Sequence, residues 1–426
     1  MATEVAVGKR GAAVEIAAAL ALFAVVALLS WATQKPISHN GGRGWDGVEY
    51  HAMAEQIEAG QPLLARAPHV YRPGVPLLVA LLPGEDTILK FGLVNLFAAG
   101  LSVALFVVWL RLYVGVWWVR ALLVVLYVTM WHAPTRFVFF YPVYIDPWFV
   151  VCVLGGLIVV HRLGRDRTDL ALIALLSAIT FAGVLFREAA LALPAALLTR
   201  DVPRLWTRRL PLDLVPLGAG AVALWLARSA DGPFRPQQSH PYELVDVAIR
   251  WLYDKPPPTI ALAWFTAFGP VLVLAIFFAG DALRFLGRYP FMATALGTFS
   301  VAGWLGGVDT ERLMYWTFPV VYAVIGVVIA RNAAVLASVP LVVLLAATQV
   351  PAQRLLWVTP DYPNPYRRAF MFLTPFGNEF NHLNLYSWHS PRAVSGLLLA
   401  EYLALALVLA GWLAYRRAKL ARQVSE

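Results

Sequence analysis

Apolar segments long enough to cross a bilayer recur along almost the whole chain, and no other feature restricts its fold so strongly. A helix needs about 20 apolar residues to cross a hydrocarbon core roughly 30 Å thick, and such segments must be helical because no water satisfies their backbone. Hydrophobic residues make up 60% of the 426 residues and charged residues only 14%, which leaves no room for a separate soluble domain. The sequence therefore predicts an all-α polytopic membrane protein with residues 1–426 as a single transmembrane domain.

The apolar pattern predicts about twelve transmembrane helices. The spans are expected at 12–33, 89–112, 116–131, 147–162, 169–186, 188–199, 211–229, 258–280, 290–306, 313–330, 333–349 and 395–415. The segment 188–199 is short and contains Pro194, so we expect a half-length or broken helix there.

Basic residues are concentrated on one side of these spans. They are Lys9, Arg10, Arg162, Arg165, Arg167, Arg200, Arg204, Arg208, Arg209, Arg284, Arg288, Arg331, Arg416, Arg417, Lys419 and Arg422. The positive-inside rule makes that side cytoplasmic. The first apolar run is too long for a signal peptide, so both termini are expected in the cytoplasm, with 416–426 as a basic tail. This topology explains the net charge of +9 without a nucleic-acid partner.

The long polar segments then lie on the extracytoplasmic side, at 34–88, 230–257 and 350–394. The first of them contains GWDGVEYHAMAEQIEAG, in which apolar residues at helical spacing predict a short interfacial helix that begins near Asp46 and ends at Gly60. Capping of this helix is one interpretation of Asp46. The following RPGVPLLVALLPG is apolar but too short and proline-rich to span, which indicates a second interfacial or re-entrant piece.

Ionisable residues recur at the outer ends of later helices. Asp146 lies in YPVYIDPW, and Asp309, Glu311 and Arg312 lie in GGVDTERLMYW. Such groups are costly at membrane level unless they pair, line a water-filled cavity or act chemically. The pattern indicates a cavity at the outer face, although Asp146 is also placed to cap the next helix, with Pro147 in its first turn.

The string VLFREAALALP places Arg187 and Glu188 between two apolar segments with almost no loop. Both side chains are therefore expected to face the protein interior. One interpretation is a salt bridge that anchors the helix ends. The other is that Arg187 binds a lipid phosphate, because a guanidinium group offers a rigid fork of donors that matches phosphate oxygens. Arg72 and Arg312 are further candidates for this role.

No cofactor is expected from the sequence. Cys152 is the single cysteine, and the histidines show no spacing typical of a metal site, so a divalent metal is compatible with the chain but lacks support. The chain also lacks a Walker lysine in a glycine loop, a GxSxG elbow and a dinucleotide fingerprint. ATP-driven pumping, serine hydrolysis and nicotinamide chemistry are therefore not expected.

Together, GWDGVEYHAMA in the first outer loop, YRPGVPLL after it, YIDPW, REAALALP and DTERLMYWTFP resemble the GT-C superfamily of integral-membrane glycosyltransferases over roughly residues 12–330. The resemblance implies inverting transfer of a sugar from a polyprenyl-phosphate donor to a glycan, lipid or protein acceptor, at the outer face of a bacterial cytoplasmic membrane. Some members bind a divalent metal through an acidic pair in the second outer loop, where this chain has only Asp146.

The resemblance also implies roles for particular residues. Asp46 is the expected catalytic base, because a carboxylate within hydrogen-bond reach can take the proton of an acceptor hydroxyl. The assignments that follow are Asp46, Asp146 and Glu49 for the catalytic group, Arg187, Arg312 and Arg72 for the donor phosphate, and Tyr50, His51, Tyr144, Glu188 and Glu311 for acceptor or sugar contacts.

Other functions fit parts of the pattern. A twelve-helix secondary transporter with proton-coupled acids fits the span count, but no repetition between the two halves is evident and transport does not require the long outer loops. A lipid-linked polysaccharide polymerase or ligase shares the long outer loops and the arginines. Such enzymes concentrate arginines in a late loop, whereas here the acid-rich loop is the first.

Overall fold

The computed structural model describes residues 9–163, 169–200, 210–237, 243–255, 257–307, 310–356, 358 and 392–425. These residues form helices and loops, with no β-strand among them. The helices are α1 Lys9–Thr33, α2 Gly47–Glu58, α3 Gly74–Ala80, α4 Thr87–Arg111, α5 Trp117–Thr129, α6 Pro134–Phe140, α7 Asp146–Arg162, α8 Leu170–Phe186, α9 Ala192–Arg200, α10 Leu210–Asp213, α11 Val215–Arg228, α12 Glu243–Asp254, α13 Pro257–Phe268, α14 Val271–Phe277, α15 Ala279–Arg288, α16 Pro290–Leu305, α17 Thr310–Met314, α18 Phe318–Arg331, α19 Ala333–Leu336, α20 Val339–Ala352 and α21 Arg392–Ser425. Short 3-10 helices lie at His69–Tyr71, Glu188–Leu191 and Tyr315–Thr317.

Several helices are long and apolar enough to cross a membrane. Among the described residues there are six such spans, or seven if the bent pair α13–α14 is one span. They are Gly11–Thr33, Thr87–Arg111, Trp117–Phe140, Leu210–Arg228, Thr310–Arg331 and Leu399–Gln423. Large apolar side chains such as Trp31, Val339 and Leu407 point outward from these and neighbouring helices. The all-helical, multi-pass character predicted from the sequence is confirmed.

The remaining predicted spans correspond to shorter elements. Leu170–Phe186, Pro290–Leu305 and Val339–Ala352 are apolar helices of 10–17 residues. The predicted segment 188–199 is broken, as its length and proline suggested. It begins with the 3-10 turn after Arg187 and continues as α9, which rises only about 14 Å at 1.5 Å per residue.

The segment predicted as a single span over 258–280 is instead bent by 114° between α13 and α14. Gly269 at the bend has a φ of +67°, and Pro270, which has no N–H, precedes α14. Side chains of α20 satisfy the backbone groups exposed there. Gln349 accepts from Val271 N at 2.9 Å and donates to Phe268 O at 2.7 Å, and Gln353 donates to Ala267 O at 2.7 Å.

The helix α18 occupies the centre of the bundle, with almost all of its residues buried, and it packs against α4, α5, α14, α15 and α16. Polar contacts join helix ends on either side of this centre. At one end, the C-termini of α4 and α18 approach Glu15 and Asp281, which bind Arg111 and Arg331 respectively. The other end carries the first outer loop, the start of α7 and α17.

The first loop folds into the two short helices that the sequence indicated, α2 and α3. The next helix, α4, begins at Asp86, whose carboxylate accepts a 2.9 Å hydrogen bond from Leu89 N. At the far end of the chain, the predicted basic tail continues α21 as a helix, and Arg416 donates to Ala337 O at 2.9 Å. Asp309 and most of the 350–394 loop lie outside the described residues.

Candidate functional site

The loop that carries Asp46 is docked directly on the segment that leads into α7. Gly44 has a φ of +70°, and a Cβ built on it would lie 2.2 Å from the ring of Tyr141. The Gly47 amide donates a 2.6 Å hydrogen bond to the Tyr141 hydroxyl. Any larger residue at Gly44 would meet both backbone strain and a collision with Tyr141. This fit holds Asp46 beside the segment that ends at Asp146.

Asp46 faces His69, in the short 3-10 helix that precedes Arg72. The Asp46 carboxylate lies 3.8 Å from His69 Nε2, and the Tyr50 hydroxyl lies 3.3 Å from His69 Nδ1. The Asp46 side chain is 49% exposed, whereas Tyr50 is buried. Asp46 occupies the N-cap position of α2 but its side chain makes no capping hydrogen bond, so the capping interpretation is wrong. The imidazole bridges an accessible carboxylate and a buried phenol.

The protonation states of His69 and Tyr50 follow from their burial. Burial lowers the pKa of His69 below its ordinary value, and Asp46 only partly offsets this by favouring the charged ring. The imidazole is therefore neutral at pH 7, with one donor and one acceptor nitrogen. Burial also raises the pKa of Tyr50, which keeps the phenol protonated. In the Nε2–H tautomer, Nδ1 accepts from the Tyr50 hydroxyl while the Nε2–H faces the Asp46 carboxylate at 3.8 Å.

Arg72 connects the first loop to the end of α8. Its Nε donates to Glu188 Oε2 at 2.9 Å, and its side chain also hydrogen-bonds Tyr50. Burial by itself lowers the pKa of Arg72, but Glu188 and Tyr50 together more than offset this effect, and the net pKa lies above its ordinary value. A Cβ at Gly74 would lie 2.4 Å from Phe186, so only glycine permits this close approach of the loop to α8.

Asp146 is the centre of a buried ion-pair group. Its carboxylate oxygens lie 2.8 Å from Arg187 Nη2 and 3.5 Å from Arg312 Nη1, and its side chain is only 8% exposed. The Arg187 guanidinium also lies 4.7 Å from the centre of the Trp316 ring, and Arg312 lies 5.6 Å from that of Phe137. Both arginines are therefore held in place by a carboxylate and an aromatic ring.

The two arginines Arg72 and Arg187 line an open cleft of about 270 Å³. The cleft is lined by Pro68, Arg72, Arg187, Glu188, Ala189, Val247, Ala248, Ala302, Leu305, Gly306 and Trp316. Its walls from α12 and α16 are apolar, whereas the guanidinium groups come from the first loop and the end of α8. Small apolar side chains on one side and fixed cations on the other suit a molecule with a hydrocarbon part and an anionic group.

The Asp46 group and the Asp146 group form one site. The phenol of Tyr50 interacts electrostatically with Asp46, Arg72 and Arg187, and that of Tyr141 interacts with Asp46 and Arg312. Burial raises the pKa of Tyr141 well above its ordinary value, so it too remains protonated. Four separate parts of the sequence thus bring two aspartates, an imidazole and three arginines to the same end of the bundle.

Two residues of α2 that the sequence assigned to the site have partners elsewhere. Glu49 accepts a 2.7 Å hydrogen bond from Arg66 Nε and another from the Arg66 amide at 3.0 Å, which closes the loop after α2. His51 Nδ1 lies 3.3 Å from Glu55 one turn further along the helix. These contacts favour structural roles for Glu49 and His51, and their assignment to the site stays a prediction.

Tyr144 and Glu311 are both buried, and they have different partners. Tyr144 stacks with Tyr141 and packs edge-on against Phe137, and its phenol interacts electrostatically with Asp146 and Arg312. Glu311 is fully buried and interacts electrostatically with Tyr402 of α21. Tyr144 therefore belongs to the wall around Asp146, while Glu311 is linked to the last helix.

His69 and Trp316 were not among the residues predicted for the site. His69 was considered only as a metal ligand, and its proximity to Arg72 in APHVYRPG was the available signal. Trp316 follows Arg312 by four positions in ERLMYW, which places both near one side of a helical segment. Neither signal predicts the contact of His69 with Asp46 or of Trp316 with Arg187, because these partners are distant in sequence.

In the part of the chain that the structure describes, no group of three or more His, Cys, Asp or Glu side chains is arranged to hold a metal ion. Comparison with known proteins adds no relative: no family model, no curated protein and no solved structure matches the chain significantly.

Proposed function

We propose that this protein is an integral-membrane glycosyltransferase of the GT-C type, which transfers a sugar with inversion from a polyprenyl-phosphate donor to an extracytoplasmic acceptor. One observation carries the proposal: a half-exposed carboxylate, Asp46, is linked through Tyr50 to Arg72 and Arg187, which line an apolar-walled cleft. The cleft suits a phosphate attached to a lipid chain, and the carboxylate suits a base that acts on a hydroxyl group.

The proposed reaction uses each part of this geometry. Asp46 takes the proton of the acceptor hydroxyl as its oxygen attacks the anomeric carbon of the donor sugar. The bond between that carbon and the phosphate oxygen breaks, and its electron pair leaves with the lipid phosphate. Arg187 and Arg72 balance the charge that develops on the phosphate in a poorly solvated site. His69, whose Nε2 lies 3.8 Å from the Asp46 carboxylate, helps to orient it.

The burial of Asp146 separates its role from that of Asp46. Asp146 has both of its oxygens close to arginines, so in this proposal it positions Arg187 and Arg312 rather than acting on the acceptor. The packing of Arg187 on Trp316 and of Arg312 on Phe137 supports this role, because it keeps the two guanidinium groups in place when the sugar donor binds. Hydrogen-bond donors that are already fixed cost no reorganisation energy during the reaction.

The proposal includes a twelve-span topology with both termini in the cytoplasm of a bacterium. Counting the shorter helices α7, α8, α9, α16 and α20 as crossings beside the six long spans and the bent pair gives twelve. In this arrangement Asp46, Arg72, Asp146, Arg187 and Arg312 all fall at extracytoplasmic ends, in agreement with their contacts. Glu15, Arg111, Asp281 and Arg331 all fall at the opposite ends.

A secondary transporter with proton-coupled acids is the alternative, and the break between α13 and α14 favours it, since discontinuous helices form binding sites in transporters. Here, however, the side chains of Gln349 and Gln353 hydrogen-bond to the backbone groups at the break, so these groups are not open to a substrate. The charged side chains Arg72, Arg187 and Glu188 line a different cleft, away from this break. We therefore place transport second.

The test is sugar transfer by the purified full-length protein from a panel of polyprenyl-phosphate monosaccharides, with membranes supplied as a source of acceptor. We expect turnover of one donor, and Asp46→Asn should reduce it by about 10²- to 10⁴-fold with no loss of folding. Asp231→Asn removes the same charge from an exposed position of the 230–257 loop and should keep wild-type turnover.

The outcomes separate the two functions. Equal turnover by the wild type and Asp46→Asn would show that another group is the base. No turnover and no donor binding across the panel by folded wild-type protein would favour the transporter, which would then be tested by proton-driven uptake in vesicles.

A further inference from the structure

A second cavity lies at the opposite end of α7 from Asp146. It has a volume of about 280 Å³ and is lined by His161, Arg200, Arg288, Tyr289, Pro290 and Phe291. Asp146 is the first residue of α7 and His161 is in its last turn, which separates the two sites by roughly 20 Å along the helix axis. The second cavity is therefore independent of the cleft assigned to the donor.

Aromatic rings form a rigid wall around His161. The Tyr113 hydroxyl and His161 Nδ1 are 2.7 Å apart and hydrogen-bonded. The rings of Tyr113 and Tyr289 pack edge to face with centres 5.1 Å apart, and Phe285 packs against both. The position of His161 in the cavity is thus set by packing as well as by a hydrogen bond.

Two arginines from different helices meet at this wall. Arg200 is the last residue of α9, and Arg288 is the last residue of α15, with its guanidinium 5.7 Å from the centre of the Tyr289 ring. Arg200 acts electrostatically on both Tyr113 and His161. The described lining residues that carry a charge at neutral pH, Arg200 and Arg288, are therefore both cations.

General rules for helices and membranes explain only part of this arrangement. Arginine at a helix C-terminus is favoured by the helix dipole, and arginine is frequent on the cytoplasmic side of membrane proteins. Both rules are satisfied by arginines that extend separately into water. Neither accounts for a cavity in which arginines from α9 and α15 meet beside a histidine and a wall of aromatic rings.

We propose that this cavity binds a phosphate group at the face of the protein predicted to be cytoplasmic. The guanidinium groups of Arg200 and Arg288 supply paired donors for phosphate oxygens, and His161 supplies a further ring N–H donor. The phosphate comes from the headgroup of an acidic phospholipid or from a soluble phosphate. The same side chains would recognise either.

The test uses the full-length protein and a double variant, Arg200→Gln with Arg288→Gln. Native mass spectrometry measures retained phosphatidylglycerol after reconstitution in nanodiscs of phosphatidylcholine with and without that lipid. Thermal unfolding in detergent measures stabilisation by inorganic phosphate and pyrophosphate. The control, Arg417→Gln with Lys419→Gln, removes the same charge from exposed positions of α21 on the same predicted face.

We expect the double variant to bind at least about tenfold more weakly than the wild type, and the control to bind like the wild type. Retention of phosphatidylglycerol identifies the lipid source, and stabilisation by phosphate or pyrophosphate alone identifies the soluble source. Equal binding by wild type and double variant, or no binding of any probe by the wild type, overturns the proposal. If the double variant does not fold, Arg288→Gln alone is used, because Arg288 is exposed.

Discussion

Two aspartates at the same end of the bundle differ in what surrounds them. Asp146 is buried between two guanidinium groups, and removal of one partner from a buried pair costs about 3–5 kcal/mol. Asp46 is half exposed and lies at a longer distance from a neutral histidine. Asp46 is thus open to an incoming acceptor, as the proposed base must be, whereas Asp146 is suited to hold the two arginines in place.

His69 gives the site a pH dependence with a defined sign. Because burial lowers the His69 pKa, the neutral ring persists below the ordinary pH range of histidine, and protonation occurs only at lower pH. The imidazolium would then pair with Asp46 and weaken it as a base. We expect the proposed transfer activity to fall by about tenfold per pH unit below the His69 pKa, and His69→Gln to remove the part of the fall that His69 causes.

The measurement is the pH profile of kcat/KM for wild type and His69→Gln. His51→Gln serves for comparison, because burial also lowers the pKa of His51 but Glu55 is its partner. The structure leads us to expect a wild-type profile for His51→Gln. An altered profile in that variant, with none in His69→Gln, would support the assignment of His51 made from the sequence.

Sequence reasoning identified most of these side chains but not their pairing. The cost of charge at membrane level was enough to select Asp146, Arg187 and Arg312. That Asp146 lies between the two arginines depends on the packing of three helices, and no local pattern encodes it. His69 was missed because its role arises from Asp46 and Tyr50, which belong to a different helix.

At the level of elements, the break between α13 and α14 depends on α20. Gln349 bonds the backbone on both sides of Gly269. We expect Gln349→Leu to lower the free energy of unfolding by about 2 kcal/mol or more, because it leaves a buried N–H and a buried C=O without partners. Chemical unfolding of the purified protein in detergent micelles, followed by fluorescence, measures the change.

Thr348→Val is the matched control on the same helix. The Thr348 hydroxyl donates within its own helix, to Leu344 O at 2.7 Å. Loss of this hydroxyl should therefore change the free energy of unfolding very little. Equal destabilisation by both substitutions would show that α20 responds to any loss of polarity. The role of Gln349 at the break would then be refuted.

The length of each apolar run predicted most helices to within a few residues, because an uninterrupted apolar segment has few other ways to satisfy its backbone in a bilayer. Over 258–280 the sequence predicted an apolar run but not the bend within it, for a physical reason. Gly269 and Pro270 stand inside a run whose hydropathy does not change, and hydropathy alone is insensitive to backbone conformation. The Gly–Pro pair was the signal that would have located the bend.

For the whole molecule, the sides assigned from the basic residues stay a prediction. The proposed topology puts Asp231 outside and Arg417 inside. We expect Asp231→Cys to react with a membrane-impermeant maleimide applied to sealed right-side-out vesicles, and Arg417→Cys to react only after permeabilisation. The native thiol of Cys152 is buried and should stay silent.

Labelling of both engineered cysteines from the same side would mean that the number of crossings between them is even, not odd. Reaction of Arg417→Cys alone in sealed vesicles would show that the whole topology is the inverse of the proposed one. The second result would place the Asp46 site at the cytoplasmic face, whereas the first would show that one predicted crossing after residue 231 is absent.

The docking of Gly44 and Gly47 on Tyr141 also has a thermodynamic consequence for ligand capture. Glycine has more conformational freedom than any other residue in the unfolded chain, and here that freedom is already lost when the protein folds. A ligand that meets Asp46 therefore need not order the loop that carries it, and this lowers the entropic cost of association. Calorimetric titration should then show a heat-capacity change set by the burial of the ligand's own apolar surface, with little contribution from coupled folding of the protein.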